Sequence, residues 1–325
     1  MTRVAVIDVG TVTARLAIAD VEAGRVVRLA KRSNIVNLGE GVDKSGLLLP
    51  EACHRLLECI DAYLQMVRDS HVAAVCCTLT SASRDARNSG ELLAQLEARG
   101  LYAQVIPGDT EGRLTFLGVA QDFVGERLLV ADNGGGSTEF ALGMLGHDGV
   151  LSLDFVKSID VGCRRITEKF LNAGDPPSAS DLAAAHEFAF GEFSKTANEH
   201  RDELEDVSRM VLTGGTSTTL VALQKRLVPY DSSRVHLATL TLDEVIGQEQ
   251  ILAALTVAER TTLTGIQPKR APVILGGVVA VGDAMRAFGM DEITVSESDL
   301  LFGLSLVVAA TVDGTESPVG WKPAL

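Results

Sequence analysis

Carboxylates, hydroxyls and glycines fall together in one short stretch, Leu128-Leu-Val-Ala-Asp-Asn-Gly-Gly-Gly-Ser-Thr-Glu139. The apolar run before Asp132 reads as a buried strand. Gly134, Gly135 and Gly136 then permit positive φ and carry no side chain. Phe140 to Leu142 continues as a second apolar run. A strand, a glycine turn and a strand can aim successive N–H groups into one concavity, which is a phosphate-binding geometry. Ser137 and Thr138 add hydroxyls. Asp132 and Glu139 flank the turn with carboxylates, which repel phosphate unless a divalent cation stands between them. On this stretch alone, a glycine hairpin with no ligand accounts for the residues equally well.

Val4 to Asp20 repeats the pattern. With a constant offset of 124 and no gap, Asp8 falls on Asp132, Gly10 on Gly134, Thr13 on Ser137 and Ala17 on Ala141. Similarity at so long a period suggests two homologous domains rather than a solenoid. Gly10, Thr11 and Thr13 then form a second candidate phosphate loop, facing the first across a cleft. Thr213-Gly-Gly-Thr-Ser-Thr-Thr219 is a third strand-to-helix turn. Gly214 and Gly215 there open a helix whose N-terminal N–H groups favour negative charge.

Two further side chains sit where an active site would need them. Glu111, in Gly108-Asp-Thr-Glu-Gly-Arg113, begins a helix at a strand's end, where a carboxylate can take a proton from an attacking water. Charge complementarity to the helix dipole would also explain it. Arg84 follows another strand end, where ligands of open α/β sheets collect. It can clamp a phosphoryl oxygen, or be an ordinary surface arginine.

The elements that must position these residues follow from hydrophobic period. The first part reads β-β-β-α-β-α-β-α: the opening hairpin, Arg25 to Ala30, a helix from Pro50 to about Asp69, a strand from Val72 to Thr78, a helix near Glu91 to Ala98, Ala103 to Ile106, and the helix that carries Glu111. The second part begins again with the hairpin and Val150 to Lys157. Helices are expected over Asp160 to Asn172, Ser180 to His200 (with His186 and His200 in solvent), Leu242 to Glu259, Ala271 to Phe288 (broken at Gly276-Gly277) and Ser296 to Ala309. Strands are expected at Met210 to Leu212 and Ile293 to Val295. The domains are placed at 1–118 and 119–325, with the last helix able to pack back on the first.

The chain has 325 residues, 46% hydrophobic and only 4% aromatic, so its core is mainly aliphatic. The net charge of −14 excludes a general nucleic-acid binder, which would carry a basic face. It leaves room for an anionic substrate in a local basic track. Arg15, Arg84, Arg113, Arg164, Arg165, Lys269 and Arg270 are the candidates for that track. Cys53, Cys59, Cys76, Cys77 and Cys163 show no zinc spacing and suit a reducing, cytoplasmic setting. No secretory signal opens the chain, and no apolar run reaches the ~20 residues that span a membrane.

The sequence resembles the exopolyphosphatase/guanosine pentaphosphate phosphohydrolase (Ppx/GppA) family of the actin-like, sugar-kinase-like ATPase superfamily. The matching stretches are Ile7-Asp-Val-Gly-Thr11, Thr80 to Asn88, Ile106 to Arg113, Asp132 to Glu139, Gly162 to Glu168 with Asp175-Pro-Pro177, and Gly265 to Gly277. The resemblance is collinear over nearly the whole chain, whose length is that of the short members. It implies an α/β fold of two duplicated actin-like (ribonuclease H-like) domains with a central cleft. It implies Glu111 as the base that activates water. Asp132 and Glu139, with Asp8, would hold Mg²⁺ or another divalent cation, and Arg84, Ser137, Thr138 and both glycine loops would bind phosphate.

The expected activity is release of terminal orthophosphate from inorganic polyphosphate. Guanosine pentaphosphate 5′-phosphohydrolysis and a non-catalytic polyphosphate or alarmone sensor are the alternatives. A homodimer is a further expectation, while nucleic acid and membrane are not expected partners. Three departures bear on efficiency and substrate preference: Val12 where the family usually has Asn, Asn133 where an apolar residue follows the strand Asp, and Pro272 where an acid is common.

Overall fold

The computed structural model describes all residues, Met1–Leu325. The chain order is β1 (Thr2–Val9), β2 (Thr13–Glu22), β3 (Arg25–Ile35), α1 (Val42–Ser45), α2 (Pro50–Asp69), β4 (Ala74–Leu79), α3 (Ser81–Asp85), α4 (Ser89–Glu97), β5 (Ala103–Val105) and α5 (Gly108–Ala120). It continues with β6 (Arg127–Asn133), β7 (Thr138–Leu145), β8 (Leu151–Ile159), α6 (Cys163–Ile166), α7 (Ala179–Glu199), β9 (Arg209–Thr213), α8 (Gly215–Gln224), α9 (Ser232–Val235) and β10 (Ala238–Thr241). The last elements are α10 (Leu242–Ala253), α11 (Val257–Arg260), α12 (Ala271–Ala287), β11 (Glu292–Val295) and α13 (Leu300–Val312). Two compact units result: Met1–Val124 with Leu145–Leu151 and Asp299–Leu325, and Gly125–Met144 with Ser152–Ser298.

Each unit is built on one mixed sheet. The first has strand order β3-β2-β1-β4-β5 and the second β10-β11-β9-β6-β7-β8. Read from the hairpin side, β8-β7-β6-β9-β11 repeats β3-β2-β1-β4-β5, and β10 is an added antiparallel edge. The repeat extends to register. Asp8 is the ladder partner of Arg15, and Asp132 that of Glu139. Asp8 also neighbours Thr78 on parallel β4, and Asp132 neighbours Thr213 on parallel β9. This is the duplication that the 124-residue offset suggests, in the ribonuclease H-like α/β form that the family resemblance implies.

Sequence chemistry explains most element ends. Pro50 sits at the first position of α2, which buries Leu56, Leu57, Ile60, Tyr63 and Val67 at helical spacing. The expected Leu242–Glu259 helix is instead two, α10 and α11. Capping boxes from Thr241 with Glu244 and Thr256 with Glu259 start each of them. The expected Asp160–Asn172 helix is α6 followed by a π turn over Thr167–Leu171. The last helix starts at Leu300 rather than Ser296, because the Asp299 carboxylate accepts the Leu301 N–H and caps it there. β10 has no strong sequence signal and forms by pairing with β11.

The expected break at Gly276-Gly277 is absent, and α12 runs through. A Cβ at Gly276 would stand 2.5 Å from the Cys163 carbonyl oxygen, and one at Gly277 2.3 Å from Thr216 Oγ1. Gly276 lets neighbouring backbone approach and Gly277 lets the Thr216 side chain do so, and neither interrupts the helix. In the first unit, α13 packs on α5 and β1 in the same way. A Cβ at Gly303 would lie 1.8 Å from the Leu114 carbonyl oxygen. No helix is long and apolar enough to cross a membrane.

The two histidines expected in solvent are packed. His200 stacks on Phe155 with ring centroids 4.1 Å apart. His186 lies between two carboxylates, Nδ1 at 2.8 Å from Asp283 and Nε2 at 2.9 Å from Glu249. The polar face of α7 meets α12, which its own sequence does not reveal. The hydrogen bonds to Asp283 and then Glu249 outweigh burial and push the imidazole pKa up to about 10.

Gly303→Ala should lower the melting midpoint by about 2–5 °C, since overpacking costs about 1–3 kcal/mol and a chain of this length shifts by roughly 1.5 °C per kcal/mol. Gly90→Ala, whose Cβ would meet nothing within 4 Å, should leave it unchanged; equal melting of the two variants would refute the packing explanation. A raised folded pKa stabilises fully below the unfolded value near 6.5 and is lost as pH rises through about 10. Denaturant titrations should therefore show a stability gap between wild type and His186→Gln that is widest below pH 6.5 and closes towards pH 10.

Candidate active site

In the second unit the glycine turn is fastened from one side. Cys163 N–H donates to the Gly134 carbonyl (3.0 Å), Arg164 N–H to that of Gly135 (2.8 Å), and Arg165 Nε to that of Gly136 (2.7 Å). A trans peptide carries its C=O and the following N–H on opposite sides. The N–H groups of Gly135, Gly136 and Ser137 are therefore turned away from α6. Gly134 N–H closes the turn on the Ser137 carbonyl at 3.0 Å. A Cβ at Gly162 would stand 2.5 Å from the Gly135 carbonyl oxygen, so only glycine admits this approach.

The polar side chains of the turn brace it. Thr138 Oγ1 donates to the Val161 carbonyl (2.6 Å) and accepts from Asn133 Nδ2 (2.9 Å). Its proton is thus committed to the scaffold rather than offered to the phosphate it was expected to bind. Asn133 takes the place of an apolar residue by closing the hairpin through that bond. Glu139 is buried, and its Oε1 accepts from both Ser137 and Ser158 hydroxyls at 2.7 Å. Ser158, on β8, had no signal in the sequence because it is 19 residues from its partner.

Gly214 and Gly215 open α8 beside Asp132. Gly214 has φ +102°, and a Cβ there would lie 3.1 Å from Asp132 Oδ1. A Cβ at Gly215 would meet Arg270 Nη1 at 1.7 Å, so the guanidinium lies directly against the helix start. Arg164 pairs with Glu168 at 2.9 Å.

The first unit carries the equivalent hairpin. Gly10 N–H closes on the Thr13 carbonyl at 2.9 Å, and the Val12 carbonyl accepts from Val36 and Asn37 N–H groups. The Val12 side chain is buried, and the Gly10 N–H and Val12 carbonyl of its turn are engaged in these hydrogen bonds. Arg15 Nε and Nη2 donate to Asp8 Oδ2 at 3.0 and 2.7 Å. Burial pushes the Asp8 carboxyl above its usual range, and Arg15 opposes that shift.

Asp8 Oδ1 is buried without a hydrogen-bond partner, as are the hydroxyls of Thr11, Thr78, Ser81 and Ser83. Thr78 is the ladder neighbour of Asp8, and Ser81 and Ser83 lie on α3 just beyond β4. Buried polar groups of this kind call for a ligand or water. Thr78, Ser81 and Ser83 were not among the expected site residues. Any serine or threonine near a strand end looks alike until pairing sets it beside a carboxylate.

Glu111 lies in the first turn of α5 and is 7% exposed. Arg84 Nη1 donates to Glu111 Oε2 at 2.6 Å and to the Ile106 carbonyl at 3.1 Å. The two residues, separated by 27 positions, thus form one ion pair within the first unit. Arg113 instead pairs with Asp109 in solvent. No group of three acidic, histidine or cysteine side chains forms a ready-made metal site, and all five cysteines are free thiols.

Residues 17–306 match the profile of the Ppx/GppA phosphatase family. Exopolyphosphatase 2 of Mycobacterium tuberculosis is 34% identical over 334 residues, covering 95% of this chain and 99% of that protein. Exopolyphosphatase 1 of Mycobacterium leprae is 28% identical, covering 96% and 91%. Among solved structures, the Aquifex aeolicus member of the Ppx/GppA family superposes with a TM-score of 0.78 at 30% identity, covering 95% and 98%. An exopolyphosphatase from Cytophaga hutchinsonii gives 0.83 at 26%, covering 98% and 100%. The profile match over residues 17–306, with a relative 34% identical over 95% of the chain, shows that the chain belongs to the Ppx/GppA phosphatase family.

Proposed function

We propose that this protein is an exopolyphosphatase that releases terminal orthophosphate from inorganic polyphosphate by attack of water. The observation that carries the proposal is the ion pair of half-buried Arg84 with buried Glu111. An arriving phosphoryl group offers Arg84 new oxygen acceptors. As the guanidinium turns to them, Glu111 is released to take a proton from water. The water oxygen bonds to the terminal phosphorus, and the bond from phosphorus to the bridging oxygen breaks. The shortened chain leaves with the bridging oxygen. Within the second unit the outward N–H groups of Gly135, Gly136 and Ser137 are donors for phosphate oxygens, and within the first unit those of Thr11 and Val12 are. The presence of relatives named exopolyphosphatases over the full chain supports this choice over guanosine pentaphosphate.

The donor set fits a divalent cation of the Mg²⁺ kind, which takes one or two carboxylates and completes its shell with water and substrate phosphate. Asp132 and Glu139 stand directly opposite on the β6–β7 ladder, where two like charges are unfavourable without a counter-ion. Bound there, the cation would neutralise charge on the phosphates undergoing transfer. The free thiols suit a reducing compartment such as the cytoplasm.

Purified protein with Mg²⁺ should release phosphate from polyphosphate, and guanosine pentaphosphate should compete weakly. Glu111→Gln should lower kcat by about 10²–10⁴ with KM nearly unchanged; equal rates for variant and wild type would remove Glu111 from the chemistry. Asp132→Asn should raise the Mg²⁺ concentration needed for half-maximal rate, and a chelator should abolish release until Mg²⁺ is restored. Release that persists in excess chelator would exclude the cation role.

A further inference from the structure

In the first unit the Arg15 guanidinium is shared between two carboxylates. Besides its two bonds to Asp8, its Nη1 donates to Asp299 Oδ2 at 2.9 Å. Lys31 Nζ stands 3.5 Å from the same Asp299 oxygen and lies over the Phe302 ring at 5.3 Å. The other oxygen of Asp299 caps α13 through the Leu301 N–H. Burial alone would raise the Asp299 carboxyl, but Lys31, Arg15 and that N–H outweigh it and hold it below its usual value. A buried, ionised carboxylate thus engages two cations, one of them the ladder partner of Asp8 at the mouth of the Gly10–Thr13 turn. The hydrolytic scheme above makes no use of it.

We propose that Asp299 restrains anion binding at this turn, withholding the charges of Arg15 and Lys31 from an incoming polyphosphate. An anion can gain Arg15 only in competition with Asp299. The effect is electrostatic, so it weakens affinity without entering the bond-breaking step and is screened by salt. The natural ligand in this inference rests on the exopolyphosphatase proposal, but the charge effect applies to any inorganic polyphosphate, which makes tripolyphosphate a suitable probe.

Asp299→Asn separates the two duties of the side chain, because asparagine is an equally good helix cap but carries no charge. Titration calorimetry at low salt should show tripolyphosphate bound about 3–10-fold more tightly than by wild type, with the gain fading at high salt. KM for polyphosphate should fall by a similar factor while kcat stays within about twofold. In an Arg15→Gln background the same substitution should gain much less. Unchanged or weaker binding by Asp299→Asn, with wild-type melting, would overturn the proposal. So would equally tight binding by Asp299→Glu, which keeps the charge and alters the cap. If wild type proves inert on polyphosphate, the exopolyphosphatase proposal fails, while the calorimetric comparison still decides this one.

Discussion

The second unit's glycine turn depends on where three carbonyls go. Gly134, Gly135 and Gly136 each have their C=O taken by the segment Cys163–Arg165. Peptide planarity then leaves the next N–H no choice of direction. Gly162 exists as glycine so that this segment can come close enough. Thr138, Ser137, Ser158 and Glu139 lock the same turn from the side-chain level. An array of N–H donors is thereby organised before any ligand arrives, which is what stabilises developing negative charge without reorganisation.

Duplication supplied two such hairpins, and one position has diverged in charge. Arg15 and Glu139 occupy the same register opposite Asp8 and Asp132. In the first unit the carboxylate therefore has an internal counter-ion. In the second, two carboxylates face each other across the ladder. Equivalent backbone thus presents opposite electrostatics, and the units are suited to different tasks. The first pairs each buried acid with a guanidinium, as in Asp8–Arg15 and Glu111–Arg84. The second unit's hairpin lacks an arginine at that position and has Glu139 there instead.

Close helix packing keeps these parts in place, and glycine makes it possible. Gly303 on α13 and Gly118 on α5 each face the other helix's backbone, Gly276 on α12 faces the Cys163 backbone, and Gly277 faces the Thr216 side chain. Glu111 lies in the first turn of the helix that α13 packs against, so the return of the chain's end to the first unit sets that helix on its sheet.

Much of this was legible in the sequence. The two hairpins, their offset, the first-turn position of Glu111 and the burial of Cys76 and Cys77 all follow from local period, turn residues and helix-start signals, which depend on neighbours in the chain. What depended on distant partners was not legible. The continuity of α12, the carboxylates around His186, the placing of Thr78 beside Asp8, the bond from Ser158 to Glu139 and the hold of Asp299 on Arg15 join residues many positions apart. A glycine pair reads as a break until another backbone is seen against it, and an arginine reads as a free cation until a buried carboxylate is found beside it. Local sequence determined which residues could do chemistry and on which elements they sit. Only tertiary structure decided which charges are already spent on one another, because that depends on desolvation and distances that chain order does not encode.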